Sequence, residues 1–383
     1  MSGLRTLALF NGSYLGPKPT GIGVVARDLV AALDPQRVPL LDPGLRSADG
    51  AGSGSPGLEG RPHGIPIPAD LSPAAGSRGH LRRLLWTQNE LPDLIRRHGN
   101  PLLLSPLPEA PLLRGVRSVV LAHDLLPLRF PQPTPLLAYH LAYVPLVLHR
   151  AAAVLCNSEA TAREVHGRLR VPVRRLVPIR LGFDPGGLRP LDLEREPVFL
   201  VLGRHDPHKN LARVLRAFAL LRAPESTLML VGPHDRRYTP KLKHLAAELG
   251  IAERCRWIPW VSDAERLQLL NRCRALVIAS LWEGFGLPAL EAMACGTAVI
   301  AARAGGLPEV VAGVGQLVDP RRIEAIAAAM AAALADNGLL ARARREGPAR
   351  ASGFDWRDTA ATGDRKSTRL NSRHTVISYA VFC

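Results

Sequence analysis

Two glutamates with seven residues between them bracket a Gly-rich turn: Glu283-Gly-Phe-Gly-Leu-Pro-Ala-Leu-Glu291, followed by Ala-Met-Ala-Cys-Gly296. Glycines 284 and 286 let backbone come close to a bulky anion. Pro288 suits a first helical turn and Gly296 the position past the last, so a helix is expected from about 288 to 295. The start of such a helix offers unpaired N–H groups and a positive dipole end, which is an anion site. Glu291 falls about one turn inside, within reach of a vicinal diol. Glu283 stands before the loop, where a sugar hydroxyl fits. The plainer reading is a strand-to-helix turn with a capping acid.

A second stretch, Gly203-Arg-His-Asp-Pro-His-Lys-Asn210, follows an apolar run and opens another helical pattern. Arg204 and Lys209 project from the same loop. A guanidinium and an ammonium converging there would neutralise a leaving diphosphate. Lysine occurs only at 18, 209, 241, 243 and 366, so Lys209 carries more information than any arginine. His123 ends the run Val-Val-Leu-Ala-His-Asp124, where a structural role competes with a catalytic one. Gly21 and Gly23, in Pro-Thr-Gly-Ile-Gly-Val, lead a helical pattern and are candidates for a phosphate or acceptor loop. A bare G-x-G is weak evidence for that.

The elements that must carry these residues alternate between strand and helix, which argues for a parallel α/β architecture. Residues 4–10 read as a first strand and 21–33 as a helix. Residues 42–80, rich in Gly, Pro and Ser, read as a mobile loop. Strand patterns follow at 101–107 and 117–124, a helix at 136–151, then a strand and a helix that Ser158 would cap. The polar stretch 186–197 reads as a linker, after which the alternation restarts at 198–203. The expected organisation is a Rossmann-like domain over 1–185, the linker, and a second Rossmann-like domain over 198–363. Two such domains facing each other would bind ligands at strand carboxyl ends. Residues 364–383 switch abruptly to Lys, Asn, Ser and Thr. They resemble a translated sequencing adapter and are expected to be non-native.

A chain of 383 residues favours two domains of typical size. The net charge of +16 is dispersed and mostly arginine, which argues against a nucleic-acid interface. It fits attraction to an anionic membrane or a phosphorylated acceptor better. The five cysteines form no C-x-x-C pair, so a reduced cytoplasmic protein without structural zinc is expected. No stretch approaches 18 uninterrupted apolar residues, so no spanning helix is expected.

Taken together, these motifs resemble the retaining GT-B glycosyltransferases of family 4 over roughly residues 4–360. The E-x7-E signature appears as Glu283 and Glu291, and the Arg/Lys pair as Arg204 and Lys209. The stretches His123-Asp-Leu-Leu-Pro and Asn157-Ser-Glu-Ala-Thr look like that family's first-domain segments. The resemblance implies two Rossmann-like domains and transfer of a sugar from a nucleotide-sugar with retention. It implies Arg204 and Lys209 on the diphosphate, and Gly203 in the same loop on the donor. The amides of Gly284, Phe285, Gly286 and Leu287 would cradle phosphate and sugar. Glu283 would hold sugar hydroxyls, Glu291 the ribose, and backbone near Ile258 and Pro259 the base. His123 would contact the donor sugar, and Gly21 and Gly23 the diphosphate and acceptor side. No D-x-D occurs, so neither a metal nor any other cofactor is expected. The segment "HDLLPLRFP" and the compact first domain resemble those of polysaccharide-assembly mannosyltransferases, which implies mannose from GDP-mannose as donor and a glycan or lipid-linked glycan as acceptor. A family chain normally ends in a helix crossing back to the first domain. "FDWRDTAATG" begins such a segment before the foreign-looking tail. The alternatives are a catalytically silent glycan- or nucleotide-binding paralogue and a dinucleotide-dependent oxidoreductase. The latter needs a G-x-G-x-x-G directly after the first strand, which Asn11 to Thr20 displace.

Overall fold

Short runs of Val, Ile, Leu and Ala build the strands of the computed structural model, which describes residues 6–16, 21–44, 58, 64–72, 76–113, 115–356 and 359. The division is into two compact units. One holds the described residues up to Gly182 together with Asp355, Trp356 and Thr359; the other is Phe183–Phe354.

In the first unit β1 (Ala8–Asn11), β2 (Leu40–Asp42), β3 (Ile65–Pro66), β4 (Leu102–Ser105), β5 (Ser118–Ala122), β6 (Ala153–Cys156) and β7 (Leu176–Pro178) form one sheet. Its order is β3-β2-β1-β4-β5-β6-β7, all parallel. β4, β5 and β6 are buried throughout, as a parallel sheet covered on both faces requires. Ser158 caps helix Glu159–Leu169 by accepting from the Thr161 N–H at 3.0 Å, as its position suggested.

The second unit restarts the pattern. β8 (Glu196–Leu202), β9 (Thr227–Val231), β10 (Cys255–Ile258), β11 (Cys273–Ile278), β12 (Ala298–Ala302) and β13 (Gln316–Val318) form a parallel sheet of order β10-β9-β8-β11-β12-β13. The strand order reverses between β8 and β11. Their carboxyl ends are therefore the place where such a sheet takes its ligand. Helix Leu211–Ala219 buries Leu211, Val214, Leu215 and Phe218 against this sheet, and Phe218 meets Phe199 of β8 edge-on at 6.3 Å. Each large apolar side chain so buried contributes about 1.5–3 kcal/mol.

Two expectations need correction. Residues 42–80 are not one loop: β3, the turn Ala69–Leu71 and the start of helix Gly76–Asn89 lie inside them. Ile67 and Leu71 are buried there, and β3 pairs with β2. The helical stretch 136–151 is two helices, Pro135–Ala142 and Val144–Arg150. Pro145 sits in the first turn of the second, where its missing N–H costs nothing. The helix expected over 21–33 is present as Gly21–Ala31, with Gly21 and Gly23 in its first turn. First-turn amides lack intrahelical partners and are left to bind other groups. The segment 364–383 lies outside the described residues.

The polar stretch read as a linker is held by its far end. Arg195 donates to the carbonyls of Leu270 (2.6 Å), Cys273 (2.9 Å) and Gly296 (3.1 Å) and to Thr297 Oγ1 (3.0 Å). Asn271 pairs with both Leu191 and Arg189. Replacing Arg195 with Met leaves these carbonyls without their donor, and an expected loss of about 2–3 kcal/mol in urea unfolding follows. A change under about 0.5 kcal/mol, ordinary for a surface position, would make the clamp incidental.

Candidate donor site in the second unit

β8 ends at Leu202, and Gly203 turns the chain into the Arg204–Lys209 loop. Lys209 closes the short turn Pro207–Lys209, and Asn210 follows in the left-handed region at φ 62°. The buried Asn210 amide donates to the Ala279 carbonyl (2.9 Å) and the Pro320 carbonyl (2.7 Å). The Leu281 N–H donates to the His208 carbonyl at 2.7 Å. These bonds fasten the loop after β8 to the loop after β11, so Lys209 has a fixed base. His205 secures the same loop from the other side. It is 2% exposed, pairs through Nδ1 with Thr239 Oγ1 at 2.8 Å, and lies edge-on to Trp257.

Lys209 Nζ donates to Glu283 Oε1 at 2.6 Å, and Ser280 Oγ donates to the same oxygen at 2.6 Å. Burial alone would raise the Glu283 carboxyl. The Lys209 charge and hydrogen bond, the Ser280 hydroxyl and His208 outweigh it, and the pKa falls below its ordinary value. Arg204 is more exposed and is paired with Asp206 at 3.2 Å. Each of the two candidate cations therefore has an acid of its own, which leaves this part of the site close to neutral.

Helix Leu287–Ala294 begins after Gly286, one residue earlier than the expected start, with Pro288 in its first turn. Gly286 has φ +112°, and a Cβ there would stand 2.6 Å from Leu307 Cδ2. Gly305, at φ +60°, would place a Cβ 2.0 Å from the Glu283 carbonyl oxygen. Both positions require glycine because backbone and a buried leucine come too close for a side chain. Glu291 lies inside the helix and accepts from Arg266 at 3.2 Å. Burial raises its carboxyl above the ordinary value, and Arg266 opposes this only in part.

A pocket at the carboxyl ends of β8 and β11 is lined by Arg204, Lys209, Ser280, Glu283, Gly286 and Pro288. The structure thus brings Arg204, Lys209, Glu283 and Gly286 together. Gly203, Gly284, Phe285 and Leu287 are their chain neighbours. Glu291 lies further along the same helix. Ile258 ends β10 and Pro259 follows it, two strands from β8; Ile258 is half-buried and Pro259 exposed. His123, Gly21 and Gly23 belong to the other unit. His123 follows β5 and pairs through Nε2 with the Pro106 carbonyl at 2.8 Å. Burial pushes its pKa down to about 4, against that hydrogen bond. The ring is neutral near pH 7, and donation from Nε2 leaves Nδ1 as an acceptor.

Asp206, Ser280, Arg266 and Asn210 were not singled out from the sequence. Asp206 lies within the Arg/Lys motif and Ser280 three residues before Glu283, so proximity was the available signal. Arg266 and Asn210 meet partners 25 to 110 residues away.

The family model described as "Glycosyl transferases group 1" matches residues 189–350, and the model "Glycosyltransferase Family 4" matches residues 19–186. Among solved structures, the chain is similar to sucrose-phosphate synthase from Thermosynechococcus elongatus, with TM-score 0.71, 21% identity, and 96% of this chain and 99% of that chain covered. It is similar to Anabaena HepE in complex with UDP-glucose, with TM-score 0.71, 22% identity, and 94% and 99% covered. These likenesses define the fold as GT-B. O-antigen chain mannosyltransferase B of Escherichia coli is 29% identical over 296 residues, 72% of this chain and 74% of that protein. D-inositol 3-phosphate glycosyltransferase of Rhodococcus jostii is 37% identical over 202 residues, 50% and 43%. MMP alpha-(1->4)-mannosyltransferase of Mycolicibacterium hassiacum is 32% identical over 220 residues, 56% and 53%. The match thus spans about half the length of the last two relatives. The chain belongs to glycosyltransferase family 4. That assignment sets aside the oxidoreductase alternative.

The two glutamates respond to pH in opposite senses. Glu283, with a depressed pKa, adds stability above the ordinary carboxylate range and loses it as pH falls through its folded value. Glu291, with a raised pKa, favours the fold when protonated and loses that contribution as pH rises through its folded value. Carbon-13 NMR titration of labelled glutamate is expected to place Glu283 below and Glu291 above the ordinary range. In Lys209→Met the Glu283 resonance should titrate above that range, because burial is then opposed only by the weaker partners. An unmoved Glu283 would show that Lys209 does not set its charge.

Proposed function

We propose that the chain transfers a sugar, with mannose from GDP-mannose as the favoured donor, to a glycan or lipid-linked glycan with retention of anomeric configuration. The observation that carries this reading is the Lys209–Glu283 pair, set beside a Gly-led helix start at the strand-order reversal. Breaking a sugar–phosphate bond builds negative charge on the leaving diphosphate and positive charge on the sugar. Lys209 and Arg204 supply the cations for the first. The amides from Gly284 to Leu287 supply dipoles that need no reorganisation. Glu283 holds sugar hydroxyls while it keeps Lys209 in place, and Glu291 takes the ribose. Backbone near Ile258 and Pro259 meets the base, and Gly203 lines the diphosphate. On the first unit, His123 contacts the sugar from a neutral ring, and the helix start at Gly21 and Gly23 serves the acceptor side.

Support for a nucleotide-sugar comes from the UDP-glucose complex of the structural relative, and support for mannose from the two relatives named mannosyltransferases. The reaction is metal-independent in this reading, since Arg204 and Lys209 do the work of a metal. The acceptor side faces an anionic membrane surface. Leu81, Leu85, Leu136, Leu141 and Leu146 are exposed on helices Gly76–Asn89, Pro135–Ala142 and Val144–Arg150, and the first two helices touch through His80 and Tyr139. No single helix among the described residues is long and apolar enough to cross a membrane.

A thermal-shift titration with GDP, UDP, ADP and dTDP tests the donor class without an acceptor. A nucleotide at about 100 times its Kd adds roughly 2.7 kcal/mol to stability. GDP is expected to give the largest shift; a larger shift with another nucleotide overturns the mannose assignment, and no shift with any overturns the donor site. With an active donor, Arg204→Ala and Lys209→Ala should each lower turnover on the order of 10²-fold or more. Wild-type rates in both would remove them from the mechanism. EDTA should leave turnover unchanged, and a loss restored by magnesium would overturn metal independence.

A further inference from the structure

The Gly-rich loop is supported by a closed circuit of contacts that ends at a residue far along the chain. The Glu283 carbonyl accepts from the Gly306 N–H at 2.9 Å. Gly306 leads into helix Leu307–Val311, whose Leu307 is fully buried and lies against Gly286. Arg350 holds the far end of that helix, with Nε on the Val310 carbonyl at 2.9 Å and its guanidinium on the Glu309 carbonyl at 2.5 Å. The same guanidinium lies 4.9 Å from the centre of the Phe354 ring. Phe354, 2% exposed, meets Phe285 edge-on at 5.9 Å and 70°. Phe285 stands between Glu283 and Gly286, so the circuit closes on the loop it started from. The Phe354 carbonyl is also fixed, accepting from the Phe183 N–H at 2.7 Å.

The geometry points to Phe354 and Arg350 as positioning residues that set the 283–287 loop for the distal phosphate and sugar of the donor. This rests on the donor reading above. The loop's two glycines give it freedom that its amides, as fixed dipoles, cannot use. Phe285 is the only large side chain between Glu283 and Leu287, so its packing is the handle by which the fold grips the loop. Phe354 supplies the surface for that handle. Arg350 fixes Phe354 and the helix under Gly286 with one guanidinium. Neither residue lines the pocket, so both act through Phe285 and Leu307.

The test separates the distal phosphate from the rest of the nucleotide. Binding of GDP, GMP, UDP and UMP is measured by calorimetry for wild type, Phe354→Leu, Phe285→Leu, the double variant and Arg350→Gln. The single variants are expected to weaken the diphosphates about 3- to 10-fold, the affinity equivalent of one aromatic pair, with the monophosphates nearly unchanged. The double variant should bind no worse than the weaker single, since both remove the same contact. Arg350→Lys, which keeps a cation over the ring, should recover part of the loss. Equal losses for mono- and diphosphates would show a general structural role and overturn the proposal. Unchanged diphosphate binding in every variant would overturn it as well. A wild-type protein that binds none of the four overturns the donor reading and this inference with it, a result distinct from failure of the variants alone.

Discussion

The ion pair between Lys209 and Glu283 is the constraint on which the second unit's site depends. Its two side chains are 21% and 13% exposed, so neither is fully hydrated and neither tolerates the loss of the other. Removing one partner of such a pair leaves a charge the surroundings cannot compensate. The pair joins the loop after β8 to the loop after β11 across 74 residues of sequence. Asn210 and the Leu281–His208 bond make the same join in neutral groups. The result is a lysine whose ammonium is placed before any ligand arrives.

That placement has an electrostatic consequence. With Lys209 on Glu283 and Arg204 on Asp206, the site keeps its cations without a strong positive field of its own. An incoming diphosphate does not meet two bare charges. It shares them with carboxylates already in position. Arg204 is the more exposed and the more readily redirected, whereas Lys209 is held by two further features, the Asn210 anchor and the Ser280 hydroxyl on its partner. The two cations therefore differ in role even though the motif presents them as a pair.

The legible part of this protein was the part written locally. Alternating apolar runs and helical patterns marked the two sheets, because buried parallel strands need continuous Val, Ile and Leu. Pro288 and Gly296 marked a helix to within a residue, and Ser158 marked a cap, because these residue types act on their own turn. The stretch 42–80 misled because its Gly, Pro and Ser content hid the short strand at Ile65 and the helix start at Gly76. The buried apolar side chains among its described residues, Leu58, Ile67 and Leu71, are too few and too scattered to show a period. Partners were less legible than motifs. Nothing local says that Arg195 clamps carbonyls 75 to 101 residues away, or that Arg350 reaches back to Glu309 and Val310. Arginine is so common in this sequence that its type carried no signal.

The opposite shifts of Glu283 and Glu291 would, in another setting, suggest an acid and a base working across one bond. The structure argues for a different division of labour. Glu283 is kept ionised by a lysine and a hydroxyl that occupy one of its oxygens, which suits a carboxylate that accepts hydrogen bonds and orients a cation. Glu291 is set into a helix beside Arg266, where burial and not a reacting partner raises its pKa. Between them runs a loop whose own fixed groups are its carbonyl at Glu283, its ring at Phe285 and its packed Cα at Gly286. Those are the groups that point into the protein. The amides at the helix start belong to the same loop, and a loop gripped from behind in this way can present them to an anion.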